Sequence, residues 1–452
     1  MITGEKILDY KEELIRDLSE LIAVKSVSTN DPASCEAALD FMLEKGREMG
    51  FETKKVSPKC GHIQFGSGEK LSAVLAHVDV VPSGEGWSSD PFTLTERDGR
   101  YYARGIVDDK GPAMTALYCM NALKDSGIEP AGRIRLIIGA AEEIGMDDMT
   151  QYFASEEMPS QAFTPDSEYG ICLKEKGILH IEITSPYHDG TTLTEFHAGN
   201  AINAVPSKAY ALIDCTETED HQLRRFADAK PGEYDFIYTM DGLRIDGRGK
   251  AAHASTPELG LNAATHLIRI LAAEFGQTVL GSLCSFIDDA IGLENDGMSL
   301  GIACSDDLSG NLTVNVGRVD IDDNESRAYL DIRYPVSADS SEICNIIRER
   351  ASYDGLRARV ISHELPLNME EDAPIIATLR QAYKNVTGEE AELYSTGGGT
   401  YARTLKNSGV AFGPTFPGDE THIHDVDESV DVDNFWKHAK ICLEAMKGMA
   451  EK

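Results

Sequence analysis

Basic side chains are scarce in these 452 residues. Lys and Arg number 42 against 76 Asp and Glu, a formal net charge of −34. Such acidity excludes a nucleic-acid binder, whose partner's phosphates need a basic surface, and docking on an anionic membrane. None of the nine cysteines forms a CxxC pair, and the odd count argues against a disulfide frame. They read as reduced thiols, so the expected compartment is the cytoplasm. No stretch approaches the roughly 18 apolar residues of a membrane helix, and MITGEKILDYKEELIRDL is amphipathic and lacks the apolar core of a signal peptide. A nucleotide loop of the GxxxxGKS/T type is missing, as are internal repeats and low-complexity tracts.

What remains is an ordinary globular composition, 42% hydrophobic and 26% charged, long enough for two or three domains. The spacing of apolar residues predicts helices over 5–24, 34–49 and 111–127, with short buried strands over 71–76 and 133–140. Helices alternating with strands predict an α/β class: an α/β/α catalytic domain on a mixed, largely parallel sheet. From about residue 187 the texture turns to β-rich segments and turns, with helices over 260–275 and 340–351 and a strand at RAYLDIRYP. Helix and strand alternation returns after ELPLNMEEDAP and ends in a helix over 431–450. The expected organisation is a catalytic domain of residues 1–188 and 366–452, interrupted by an inserted α+β lid domain over 189–365.

Five stretches place acids or imidazoles beside Gly or Pro: LAHVDVVP (75–82), ARGIVDDKGP (103–112), AAEEIGMDD (140–148), TPDSEYG (164–170) and THIHDVDE (421–428). Each has a plain structural reading. His77 ends a strand, Asp108 and Asp109 precede a helix and suit its N-terminus, Glu142 and Glu143 fit an exposed turn, and Asp166 is a turn residue. Together they supply His, Asp and Glu at element ends, the ligand types of a two-metal hydrolase, where a shared carboxylate holds the ions about 3.5–4 Å apart. In His77-Val-Asp79, side chains two apart on a strand face the same way, so a carboxylate can fix the tautomer of a ligating imidazole.

These stretches, in this order from residue 75 to 428, resemble the co-catalytic metallopeptidase family that includes carboxypeptidase G, aminoacylase, succinyl-diaminopimelate desuccinylase and carnosinase-type dipeptidases. The resemblance implies that His77, Asp108, Glu143, Asp166 and His424 are metal ligands, with Asp108 bridging two ions across a bond to Asp109 that is often cis in relatives. It implies Asp79 as the partner orienting His77 and Glu142 as general base. His424 is preferred to His422 because Glu428 follows it by four residues, as in the family motif. In the lid it implies a substrate-carbonyl role for His253 (GKAAHAS), a substrate-carboxylate fork at Arg333 (LDIRYP), and a contact near the same carboxylate from Asn203 (NAINAVP). STGGGTYAR resembles a loop whose amides, Gly398 among them, line the C-terminal side of the substrate pocket. Closure of the lid would bring His253 and Arg333 to the metals.

ARGIVDDKGP, TPDSEYG, GGGTYAR and FGPTFPGDE are closest to the Xaa-His dipeptidase (PepV-like) branch, where an enlarged lid stands in for a dimer partner. The implied enzyme is a monomeric dipeptidase acting on small peptides, including Xaa-His or β-Ala-containing ones. It would carry two divalent ions per chain, zinc first, with manganese or cobalt also suited to a thiolate-free His/carboxylate set. An N-acyl amino acid amidohydrolase or desuccinylase would use the same metal site.

Overall fold

The computed structural model describes residues 3–29 and 31–451. The chain divides into two compact units. The first comprises the chain up to Leu173, Leu367–Ser395 and the residues from Gly399 onward; the second comprises Lys174–Pro366 and Thr396–Gly398.

The first unit is built on a mixed sheet. Its strands run in the order Glu52–Ser57, Cys60–Gly66, Arg133–Gly139, Leu71–His77, Gln161–Thr164, Gly409–Ala411, Ile171–Glu175 and Leu367–Asn368. The central members are parallel: Leu71–His77 pairs in that sense with both Arg133–Gly139 and Gln161–Thr164, and Gly409–Ala411 with Gln161–Thr164. All residues of Leu71–His77 are buried, as expected for a strand covered on both faces. The covering helices include Lys11–Ala23, Pro32–Glu48, Lys110–Asp125 and Val432–Ala450, whose apolar residues join one core. Their starts follow from local chemistry. Asp31 accepts the amides of Ala33 and Ser34 ahead of Pro32, and Asp431 accepts those of Asp433 and Asn434.

In the second unit an antiparallel sheet runs Glu233–Tyr238, Leu243–Arg248, Lys208–Ile213, Leu193–Ala198, Thr313–Ile321, Ser326–Tyr334, Gly177–Ser185 and Arg357–Glu364. Helices Glu217–Asp228, Ala263–Phe275 and Ser340–Tyr353 pack with it around a separate core. The unit begins at Lys174 and not at residue 189, because Gly177–Ser185 is zipped between Ser326–Tyr334 and Arg357–Glu364. Thr396–Gly398 also clusters with this unit, a short return inside the expected second catalytic segment.

Among the described residues, no helix is long and apolar enough to cross a membrane, and all nine cysteines are free.

Candidate metal centre

Four parallel strands deliver the polar residues. Leu71–His77 ends at His77, Arg133–Gly139 leads to the turn Glu142–Ile144, Gln161–Thr164 to Asp166, and Gly409–Ala411 to the loop carrying His424. All emerge at the C-terminal strand ends, where open α/β sheets place their sites. Gly139 permits the turn: a Cβ there would overlap the Tyr401 hydroxyl and the Asp148 carboxylate.

Asp108 stands at the centre. Its Oδ1 lies 2.9 Å from His77 Nε2, and its Oδ2 lies 2.8 Å from His424 Nε2. Glu143 Oε1 is 3.1 Å from His424 Nε2, and Asp166 Oδ2 is 3.9 Å from His77 Nε2. Ligand atoms of His77, Glu142 and Asp166 lie within 4.8 Å of one another, as do those of His77, Asp108 and Glu143. The structure thus gathers every residue that sequence reasoning named as a metal ligand, and Glu142 with them. The Asp108–Asp109 peptide is cis. His424 sits at φ +63° and His422 at +53°, left-handed backbone that costs a non-glycine residue energy and is retained where a site needs it.

His77 is oriented by its own neighbour. Its Nδ1 faces the Asp79 carbonyl at 3.0 Å, which turns Nε2 toward Asp108. The Asp79 carboxylate lies farther from that nitrogen, at 3.5 Å, and instead accepts the amides of Glu142 and Glu143 at 3.2 and 3.3 Å. One aspartate therefore ties the His77 strand to the Glu142–Glu143 turn.

The fit to metal is testable on the donors themselves. His77 Nε2 and Asp108 Oδ1 are buried 2.9 Å from each other, yet neither makes a well-directed hydrogen bond, an arrangement that a cation shared between them would satisfy. Burial and neighbouring carboxylates hold the acids up. Glu142 is raised well above the usual carboxylate range by burial and then by Asp166; Asp166 is raised likewise by burial and Asp108, and Glu143 is raised by burial and Asp108. Burial lowers the imidazoles, but the carboxylates outweigh it: His77 is raised well above its usual value and His424 to about 11. Asp108 is the exception: burial raises it, but His424 and His77 hold it below the usual carboxylate range. The other three acids cling to protons and both imidazoles gain them, which marks a pocket short of positive charge that divalent cations satisfy. Nitrogen and oxygen donors without a thiolate suit zinc or manganese.

Sequence reasoning missed the groups that brace this centre. Arg104 and Glu428 are both buried, and Lys110 Nζ donates to the carbonyls of Leu21 and Val24 at 3.2 and 2.6 Å, fixing the segment after Asp109 to the end of helix Lys11–Ala23. Asp148 accepts the amides of Ala140 and Ala141, both at 2.9 Å, and the Tyr401 hydroxyl, supporting the turn of Glu142 from below. Arg104, Lys110 and Asp148 all stood inside the quoted stretches, but nothing in the spacing announced their partners.

The lid residues assemble within the second unit. Ala204 and His253 form an antiparallel bridge, and the carbonyl of Asn203 accepts the Ala254 amide at 2.9 Å. Arg333 is buried and half committed. Its Nε and Nη2 donate to the two oxygens of Asp331 at 2.6 and 2.7 Å, and Nη1 donates to the Gly397 carbonyl at 3.2 Å. Gly398 donates its amide to Thr396 Oγ1 at 3.1 Å.

Residues 73–448 match the family described as Peptidase family M20/M25/M40. The chain is 34% identical over 465 residues to "Putative dipeptidase YtjP" of Bacillus subtilis (strain 168), covering 99% of each. Among solved structures it is similar to the di-peptidase Dug1p of Saccharomyces cerevisiae, with TM-score 0.62 at 14% identity over 99% of this chain and 98% of the other. It is also similar to human carnosine dipeptidase 1, with TM-score 0.61 at 14% identity and the same coverage. At such identities these structures speak to fold alone.

Proposed function

The chain belongs to peptidase family M20/M25/M40, a family of metallopeptidases, and on that premise we propose that it is a two-metal dipeptidase acting in the cytoplasm as a monomer. The single observation that carries this reading is Asp108, whose two carboxylate oxygens each face a different imidazole, His77 at 2.9 Å and His424 at 2.8 Å. A carboxylate flanked in this way would serve as the shared ligand of two ions.

In this reading His77, Asp108 and Asp166 would hold one ion, and Asp108, Glu143 and His424 the other, with zinc the first candidate. Bound there, the ions supply Lewis acidity, which in favourable sites lowers the pKa of water to about 7. Asp79 keeps the imidazole of His77 aimed at its ligand position. Glu142 takes the water's proton on a carboxylate oxygen and delivers a proton to the departing amine, work worth about 10²–10⁴-fold in rate. His253 donates to the scissile carbonyl oxygen as negative charge develops there. Arg333 offers the N–H groups that Asp331 and Gly397 leave over to the substrate's terminal carboxylate, with Asn203 and the amide of Gly398 beside it. A free carboxylate so close to the scissile bond confines substrates to short peptides, with Xaa-His and β-Ala-containing dipeptides the expected class.

The test is direct. Chelated protein is reconstituted with zinc, manganese or cobalt and assayed on Ala-His and β-Ala-His against N-acetyl and N-succinyl amino acids. Metal-dependent hydrolysis of the dipeptides is expected, and a preference for the acylated substrates would overturn the dipeptidase reading.

A further inference from the structure

His253 has a neighbour, Ser255, that closes the GKAAHAS stretch but was given no role there. Its Nδ1 receives the backbone N–H of Ser255 at 3.2 Å and lies 2.7 Å from the Ser255 hydroxyl. An amide N–H can only donate, so Nδ1 must be the acceptor in this pair. A neutral imidazole that accepts at Nδ1 carries its proton at Nε2. The Ser255 hydroxyl, placed beside the same lone pair, adds a second donor to it.

Ser255 also meets the glycine-rich loop. A Cβ built at Gly397 would lie 2.8 Å from Ser255 Cβ, a separation that real Cβ atoms do not show, so Gly397 packs against the Ser255 side chain at a distance only a glycine allows. The carbonyl of that same Gly397 accepts from Arg333 Nη1 at 3.2 Å. His253, Ser255, Gly397 and Arg333 thus form an unbroken series of contacts inside one unit.

We propose that Ser255 is a positioning residue that holds His253 as the Nε2–H tautomer and, through Gly397, sets its distance from Arg333. The inference rests on the reading above, in which His253 meets the scissile carbonyl and Arg333 the terminal carboxylate. The spacing between these two substrate groups is then fixed within the second unit. On the dipeptidase reading, that spacing would suit one residue on the C-terminal side of the scissile bond.

The full-length, zinc-loaded protein with 15N-labelled histidine gives the tautomer by long-range 1H–15N correlation, with the His253 signal assigned by its loss in His253→Gln. A proton on Nε2 is expected. Ser255→Ala should lower kcat on a dipeptide about tenfold, the worth of one ordinary hydrogen bond, with KM little changed and the fold intact by circular dichroism. Ser255→Thr should recover most of the rate. Gly397→Ala should raise KM as well, because its methyl group forces Ser255 away from Arg333. A proton found on Nδ1, or full activity in Ser255→Ala, would overturn the proposal. Wild-type kcat in His253→Gln would instead overturn the role given to His253, and the tautomer signal, read without turnover, separates the two failures.

Discussion

Arg104 and Glu428 form a buried ion pair, Nη1 to Oε2 at 2.7 Å, with both side chains 1% exposed. Glu428 also accepts the amides of Gly105, Val107 and Asp108 at 3.0, 2.9 and 3.3 Å. Arg104 extends Nη2 to the carbonyls of Asp425 at 3.0 Å, Pro82 at 3.4 Å and Ser83 at 3.5 Å. The pair therefore joins the three segments that carry His77, Asp108 and His424.

Breaking a buried pair by removing one partner typically costs about 3–5 kcal/mol, because the other charge is left uncompensated. Arg104→Met should accordingly lower stability by that order in urea unfolding of the metal-free protein. It should also weaken metal retention, read by competition with a chromophoric chelator. A stability equal to wild type would mean that the pair braces nothing.

Glu142 and the ligands should separate in their effects. Glu142→Gln removes the base but keeps the shape, so turnover should fall by about 10²–10⁴. Metal content by mass spectrometry should stay at two ions per chain. Loss of an ion in this variant would assign Glu142 to the ligands, an outcome that its place within 4.8 Å of His77 and Asp166 makes worth checking.

The two neighbouring histidines of the 421–428 loop provide an internal control. His424→Ala should lose one of two ions and nearly all activity, while His422→Ala should keep both. The motif spacing and the 2.8 Å approach of His424 to Asp108 point the same way.

Acid should destabilise this protein in part through two buried histidines, His62 and His438, outside the candidate ligand set. Burial, and then Arg135, lowers His62 to about 4, and burial lowers His438 to about 3. The unfolded chain takes up a proton at each near pH 6.5, whereas the folded chain resists until pH falls to about 4 and 3. Between those limits the unfolded state binds more protons, so stability rises with pH and falls on acidification. The urea midpoint of His438→Gln should therefore drop less between pH 7 and pH 5 than that of the wild type.

The candidate site was largely legible in the sequence because its acids and imidazoles sit where strands end, and strand ends show in the apolar runs before His77 and Glu142. Glu428 four residues after His424 further separated that histidine from His422. Long-range partners carry no such mark. Arg104 and Glu428 are 324 residues apart, and although Glu428 marks a motif, nothing in either stretch pairs the two. Asp331 stands two residues before Arg333, but its grip on the guanidinium depends on both facing the same side of a strand in register with its neighbours. The start of the second unit was misread for a related reason. GILHIEITS alternates as a strand of either sheet would, and only its pairing with Ser326–Tyr334 decides which one it joins.

The order of strands in the first sheet has a consequence for how the protein is made. Gly409–Ala411 lies between Gln161–Thr164 and Ile171–Glu175, so that sheet is incomplete while residues 399 onward are still untranslated. The second unit is nearly one continuous segment, Lys174–Pro366, and can pack its own core earlier. His77 and Asp108 leave the ribosome among the earliest of the functional groups and then wait, without their partner His424, through the synthesis of an entire folded unit. Until residue 424 is made, a growing chain lacks one of the two imidazoles that face Asp108.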